Sequence, residues 1–387
     1  MLKTDRLTFP RLAVALLALG CAPALAQNDQ PQAATTLADL QGATTRDVGR
    51  YRPAVPLADC RKAALPHRAP DARLKAALTE AQAYSDSKSG LGLLVLQDGA
   101  VIHEEYAQGL TGDQPLVSAS MAKPVLALAI GIAVRKGVIG SINDPLSRYL
   151  PEWAGDPRGA ITIEQALQMR TGLGPSDFRA VLLGPDVGAA ALATPLAGEP
   201  GASFAYNNAV SQLLVTALDR QLRKSGKPGY AAWLEREMWC PTGNGAASLW
   251  TDETGSPRGY AGLNASVRDW ARIGEVVRTG GRAGRRQVVP RRWIAAMTQP
   301  SPANAQFGYH VWLGREWTAQ RRYSPENPLT IPHAEPFAAP DVVYFDGFGG
   351  QRVYIVPSRG LTIVRFGEVN MTWDDAVLPN IILRAIG

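Results

Sequence analysis

The sequence predicts an α+β fold: one antiparallel sheet flanked by terminal helices, with a mostly helical subdomain inserted at approximately residues 140–300. Three observations carry this expectation. Strand-like runs stand towards both ends of the chain, and helical spacing fills its middle. A chain of 387 residues, 46% hydrophobic and 19% charged, is long enough to bury a large core around such a sheet. Its 38 Gly and 29 Pro are ordinary for a globular protein, which excludes disordered and fibrous classes.

In order along the chain, residues 1–26 combine a basic start (Lys3, Arg6, Arg11), an apolar run over 12–20 and Ala24-Leu25-Ala26. That is the pattern of a secretory signal peptide cleaved near Ala26, which would leave a secreted or periplasmic chain. The run is too short for a hydrocarbon layer of about 30 Å, and no later stretch supplies an integral membrane segment. Cys21 offers a second reading, a lipoprotein, but Ala18-Leu19-Gly20 departs from the lipobox, where Leu stands three places before the cysteine. Cleavage leaves Cys60 and Cys240 in a compartment where disulfides persist. They are expected to pair and tie the N-terminal region to the main domain, two buried free thiols being the alternative.

Residues 27–62 are rich in Gln, Ala, Thr and Pro and read as a linker or loosely packed N-terminal arm before a domain over 63–387. Helical spacing follows at 71–83, then two strands at 91–97 and 100–106 around the hairpin signal Asp98-Gly99. The most apolar helix covers 124–134. Periods near 3.6 recur at 163–169, 209–222, 230–239, 266–277 and 291–297. Strands resume at 309–313, 342–345, 352–356 and 361–366, and a last helix at 374–385 carries Pro379 as a candidate kink.

Composition excludes several functions. Lys+Arg 40 against Asp+Glu 34 is a mildly basic solvated surface, not a nucleic-acid footprint. The cluster Arg282, Arg285, Arg286, Arg291 and Arg292 has no interleaved aromatics and reads as a solvated loop. Three cysteines without zinc spacing argue against a metal site, and no cofactor is expected. A Gly-x-Ser-x-Gly elbow is missing, and His103 in a strand-like run reads as structural.

The candidate chemistry lies in three short stretches. Ser120-Met121-Ala122-Lys123 opens the most apolar helix, where positions i and i+3 share a face. A hydroxyl and an amine would meet there, and burial together with the positive helix end would favour the free amine that can take the serine proton. Ser85-Asp86-Ser87-Lys88 has the same spacing but reads as a polar turn and is set aside. Lysine is scarce, 8 against 32 arginines, and arginine could not release its proton. Tyr206-Asn207-Asn208 precedes the helix at 209, so a phenol there could relay a proton and the Asn208 amide could bind a carbonyl. Asp346-Gly347-Phe348-Gly349-Gly350-Gln351 leads into a strand, where glycines allow close approach and unpaired N–H groups. Each has a plainer reading: a snorkelling lysine, a capping asparagine, a tight turn. Their order makes the joint pattern specific.

The sequence resembles the penicillin-recognising serine hydrolases: class C β-lactamases, DD-peptidases and related esterases. It is most similar to the 6-aminohexanoate-dimer hydrolase branch. The matching stretches run from Val117 to Lys123, from Phe204 to Asn208, from Gly262 to Gly274 and from Gly347 to Gln351. The resemblance implies a β-lactamase/transpeptidase-like fold with Ser120 as acylated nucleophile, Lys123 as its proton acceptor and Tyr206 as acid/base partner. Asn208 would contact lysine and substrate, and the N–H groups of Ser120 and Phe348, beside Gly347 and Gly349, would form the oxyanion hole. Penicillin-active members carry Lys-Thr-Gly on the late strand; here Phe345-Asp346-Gly347 stands in its place, with no cation. An amide or carboxylic ester is therefore the expected small-molecule substrate. β-Lactamase or DD-peptidase activity is one alternative, and a non-turnover sensor or cell-wall binding protein is another. The loops over 173–200 and 315–340, which would shape the pocket, have no readable pattern, and neither does oligomeric state.

Overall fold

Six strands make the central sheet: β1 (Gly90–Gln97), β2 (Ala100–Tyr106), β3 (Trp312–Leu313), β4 (Val343–Gly347), β5 (Gln351–Val356) and β6 (Leu361–Gly367). All neighbours are antiparallel, in the order β2-β1-β6-β5-β4-β3. The computed structural model describes residues 33–324 and 329–386. The signal-peptide reading of 1–26, with Cys21 and the start of the arm, lies outside the described residues.

Asp98 and Gly99 join β1 to β2 with φ of 51° and 80°, the two positive values that a tight hairpin turn needs to match strand twist. β1 and β6 pair in the middle of the sheet, Ile363 opposite Val95, and both are buried along nearly their whole length. A strand buried on both faces loses the alternation of apolar and polar residues, which is why these read as continuous apolar runs.

Helices cover both faces. The helices used below are α1 (Ala72–Ser87), α2 (Ala122–Arg135), α3 (Asn208–Lys224), α4 (Val267–Arg278) and α5 (Val377–Ile386). α4 lies against β5 and β6 so closely that a Cβ on Gly274 would sit 2.6 Å from Thr362 and 3.0 Å from Val353. Tyr354, one residue on, faces the other way, where Trp373 donates to its hydroxyl and packs, tilted at 50°, against Tyr84 of α1. α2 is buried from Ala122 to Ala133 and packs against α3. Among the described residues, no helix is long and apolar enough to cross a membrane.

The structure departs from the sequence expectation in several places. The 27–62 segment is not loose where described: Ala54–Leu57 pairs with Ala247–Trp250, which pairs in turn with Leu263–Asn264. Four-residue and two-residue strands are too short to show a period. α1 runs on to Ser87, so Ser85 to Lys88 close a helix and do not form a separate turn. The last helix starts at Val377, placing Pro379 in its first turn, where a missing N–H removes no helical bond and no kink arises. The strand expected over 309–313 shrinks to Trp312–Leu313, because His310 takes φ 55°. The patternless loops hold the helices Phe178–Leu183 and Val187–Leu192, capped by Asp177 and Asp186, and a ladder of Gln320–Arg322 with Thr330–Pro332.

Behind the end of β4 lies a buried cluster of four charges. Arg321 Nε donates to Asp375 Oδ2 at 2.9 Å and its Nη2 lies 3.2 Å from Asp346 Oδ2. Arg352 Nε donates to Asp375 Oδ1 at 2.8 Å, its Nη2 lies 2.8 Å from the same oxygen, and its Nη1 contacts Asp346. All four side chains are 1% exposed or less. Burial works to raise the Asp375 carboxyl, but Arg352 and Arg321 outweigh it and hold it below the ordinary carboxylate value. Asp375→Ala would leave two buried guanidinium groups sharing one carboxylate. It should lower the unfolding free energy by about 3–5 kcal/mol in urea titrations, and a loss below about 1 kcal/mol would contradict the cluster's role. Because the folded value is depressed, the wild-type contribution should be present above about pH 4 and fade as pH falls further.

Candidate active site

Ser120 sits in the single turn Ala119–Met121 that enters α2. Ala119 takes φ 48°, a left-handed conformation that costs a non-glycine residue energy and must be held by its surroundings. The hold is visible one residue earlier. Trp270 of α4 donates its indole N–H to Ser118 Oγ at 2.8 Å, and that hydroxyl donates to the Leu116 carbonyl at 3.3 Å. β4 presses on the same turn: a Cβ on Gly347 would lie 2.6 Å from the Ser118 carbonyl oxygen, so only glycine fits.

One helical turn on, Lys123 Nζ lies 2.9 Å from Ser120 Oγ, 2.8 Å from Asn208 Oδ1 and 3.0 Å from the Tyr260 carbonyl oxygen. The side chain is wholly buried. Desolvation pulls its ammonium down from the ordinary 10.5 to about 7, against the opposing pull of Asp346. A free amine has two N–H donors and one lone pair. Asn208 Oδ1 and the Tyr260 carbonyl can only accept, so they take both donors. The lone pair is left facing the one partner able to donate, the Ser120 hydroxyl.

Asn207 caps α3, its Oδ1 accepting from Ala209 N and its amide donating to the Gly174 carbonyl. That frees Asn208, the first helical residue, to face the lysine. Tyr206 places its ring 4.6 Å from Lys123 Nζ, and its phenol shares a hydrogen bond with Ser120. Burial, with Asp346 adding to it, pushes that phenol well above the ordinary tyrosine value, so it is a proton donor at neutral pH. The ring is fixed by Trp312, stacked at 6.0 Å, and by Phe307 and Tyr323.

Ser120, Lys123, Tyr206, Asn208 and Gly347 are thus brought together. Gly347 is the last residue of β4 and not a loop residue. Phe348, half exposed, and Gly349, with φ 78°, form the tip of the turn beyond it. Asp346 is buried, accepting from Tyr323 Oη at 2.6 Å, so the strand shows neither cation nor carboxylate to the cleft. Cys60 and Cys240 form a disulfide with Cα atoms 4.9 Å apart and take no part in this set. His103 contacts Gln82 of α1 at 2.9 Å. His310 is held neutral by burial, its value drawn down to about 3, between Ser211 and the Leu167 carbonyl. Sequence reasoning missed Tyr260, the aromatic box around Tyr206, and Trp270. The last was visible only as part of an amphipathic helix, and its reach to Ser118 depends on how α4 docks.

The Beta-lactamase family model matches residues 74–372. A 6-aminohexanoate-dimer hydrolase of Paenarthrobacter ureafaciens is 25% identical over 275 residues, 65% of this chain. The match spans 66% of that relative, just under two thirds of its length. Among solved structures, a 6-aminohexanoate-dimer hydrolase candidate from Bacillus anthracis superposes with a TM-score of 0.67 at 19% identity, covering 88% of this chain and 91% of its own. A family VIII carboxylesterase superposes with a TM-score of 0.61 at 14% identity, covering 82% and 98%. The α+β architecture expected from the sequence is the fold of these neighbours, and the chain belongs to the Beta-lactamase family.

Proposed function

We propose that this chain is a serine hydrolase that cleaves an amide or a carboxylic ester through an acyl-enzyme. The observation that carries the reading is the Lys123 amine, buried, with both N–H groups committed to carbonyl oxygens and its lone pair on Ser120 Oγ. Lys123 takes the hydroxyl proton as Ser120 Oγ attacks the substrate carbonyl carbon. The N–H groups of Ser120 and Phe348 receive the oxyanion, with Gly347 and Gly349 setting the turn that presents the second donor. The proton passes from Lys123 through the Tyr206 phenol to the leaving nitrogen or oxygen as the carbonyl–heteroatom bond breaks. Water then attacks the ester of Ser120, giving its proton to Lys123, which returns it to Ser120 Oγ as the acyl C–O bond breaks and the acid is released. With its oxygen on Lys123, Asn208 has only N–H groups to offer, which suits a substrate carbonyl.

Amide and ester substrates are both in keeping with the relatives' names, one a dimer hydrolase and one a carboxylesterase. The absence of a cation on β4 disfavours substrates that need a held carboxylate, β-lactams among them. We place the mature chain outside the cytoplasm after loss of residues 1–26, a reading supported by the Cys60–Cys240 bond.

Ser120→Ala should reduce turnover of p-nitrophenyl esters by about 10³-fold or more while leaving thermal unfolding unchanged; near-wild-type turnover would refute the nucleophile. Since only the free amine accepts the proton, kcat/KM of the wild type should be low in acid, rise through about pH 7 and level off above it. Lys123→Arg, charged at every accessible pH, should lose that rise together with about 10²-fold or more in rate. A wild-type profile flat between pH 5.5 and 8.5, limits set about the lysine's value, would reject Lys123 as the base.

A further inference from the structure

The turn after β4 is held by its carbonyl oxygens. Arg352 Nη1 donates to the Gly347 oxygen at 2.9 Å, Asn370 N to the Gly349 oxygen at 3.0 Å, and Arg365 Nη1 to the Gly350 oxygen at 3.0 Å. The Gln351 amide adds a pair of bonds to the backbone of Gly367, 2.8 and 2.9 Å long. Two of these supports are buried arginines, an unusual expense for a surface turn.

The consequence lies in the Gly347–Phe348 peptide. It is trans, as are all described peptides except Arg52–Pro53, and in a trans peptide the C=O and N–H point in opposite directions. Arg352 stands on β5 and draws the Gly347 oxygen to that side, so the Phe348 N–H must point the other way, out of the far edge of β4. That edge is open there, because β3 pairs with β4 only at Val343 and Tyr344. The Ser118–Met121 turn lies against the same glycine, with Ser118 O and Met121 Cγ 2.6 and 3.1 Å from where its Cβ would be. A guanidinium on a peptide oxygen also polarises that peptide and strengthens its N–H as a donor. Asp375 fixes the guanidinium through its Nε and Nη2, so the donor is aimed before substrate arrives.

We propose that Arg352 is a positioning residue for the oxyanion hole, aiming and polarising the Phe348 N–H through the Gly347 carbonyl. The buried charge cluster would then serve the chemistry as well as the fold. This inference rests on the acyl-enzyme reading above.

The test compares p-nitrophenyl acetate with its thiono analogue, in which sulfur replaces the carbonyl oxygen. Sulfur accepts hydrogen bonds poorly, so the ratio of the two kcat/KM values, corrected for their alkaline hydrolysis, reports on the donors. The wild type should prefer the oxygen ester by about 10²-fold. Arg352→Gln should cut that preference by about tenfold or more. Arg352→Lys, which keeps the cation but not the planar fork, should do the same and carries the test if the glutamine variant does not fold. Arg321→Lys disturbs the same cluster but leaves Arg352 with both of its contacts to Asp375, and should hold the ratio within about threefold despite lower stability. Arg352 variants that keep the wild-type ratio would overturn the proposal, and so would Arg321→Lys losing the ratio as far as they do. Absence of Ser120-dependent turnover of the oxygen ester by the wild type would instead refute the underlying function.

Discussion

An amine has to be kept uncharged inside a protein wall, and the site is arranged around that constraint. A lysine in water holds its proton until about pH 10.4 and is useless as a base. Burial of Lys123 removes the water that stabilises the ammonium, and two carbonyl oxygens then occupy the N–H groups of the neutral form. A depression to about 7 corresponds to on the order of 5 kcal/mol of folding stability forgone at neutral pH, which the apolar surroundings of α2 must offset. The same environment explains why the phenol of Tyr206 stays protonated. One desolvated pocket thus favours an uncharged amine and a protonated phenol side by side.

The sheet supplies the opposite electrostatic pattern a few residues away. Asp346 stands on β4 next to Gly347, and an isolated carboxylate there would pull Lys123 back towards its charged form. Arg321 and Arg352 face Asp346 and Asp375, so the cluster balances two cations against two anions within the fold. Phe345-Asp346-Gly347, in place of the Lys-Thr-Gly of penicillin-active relatives, therefore puts a phenylalanine where their lysine would stand and turns its one charge, on Asp346, to the protein interior. It also leaves the lip of the cleft without a charge to select a carboxylate-bearing substrate.

Most of the fold was legible where a period survives. β1, β2, β5 and β6 fall within a residue or so of the expected runs, and α2 and α3 announce themselves by apolar spacing. The sheet formed with Ala54–Leu57 was not, because its strands are shorter than any recognisable pattern. In the site, Ser120, Lys123, Tyr206 and Asn208 were readable because their chemistry depends on residue type at fixed local spacing. Tyr260 was invisible, since it offers Lys123 a backbone carbonyl that any residue could offer. Trp270 and Arg321 were equally hidden, each acting across more than 20 residues of chain, and so was Arg352, whose reach back to Gly347 exists only through the pairing of β4 with β5. Local chemistry can be read from a sequence, whereas the supports that aim it belong to tertiary structure.

The protonation state of one amine tests this account most directly. The chain has only 8 lysines, so a protein labelled with ¹³C at lysine Cε gives few enough signals to follow each through a pH titration, with Lys123→Arg assigning the one of interest. The account predicts that this signal titrates near pH 7. A Lys123 signal that titrates instead at the ordinary lysine value of about 10.4 would leave Ser120 without its base and contradict the central claim.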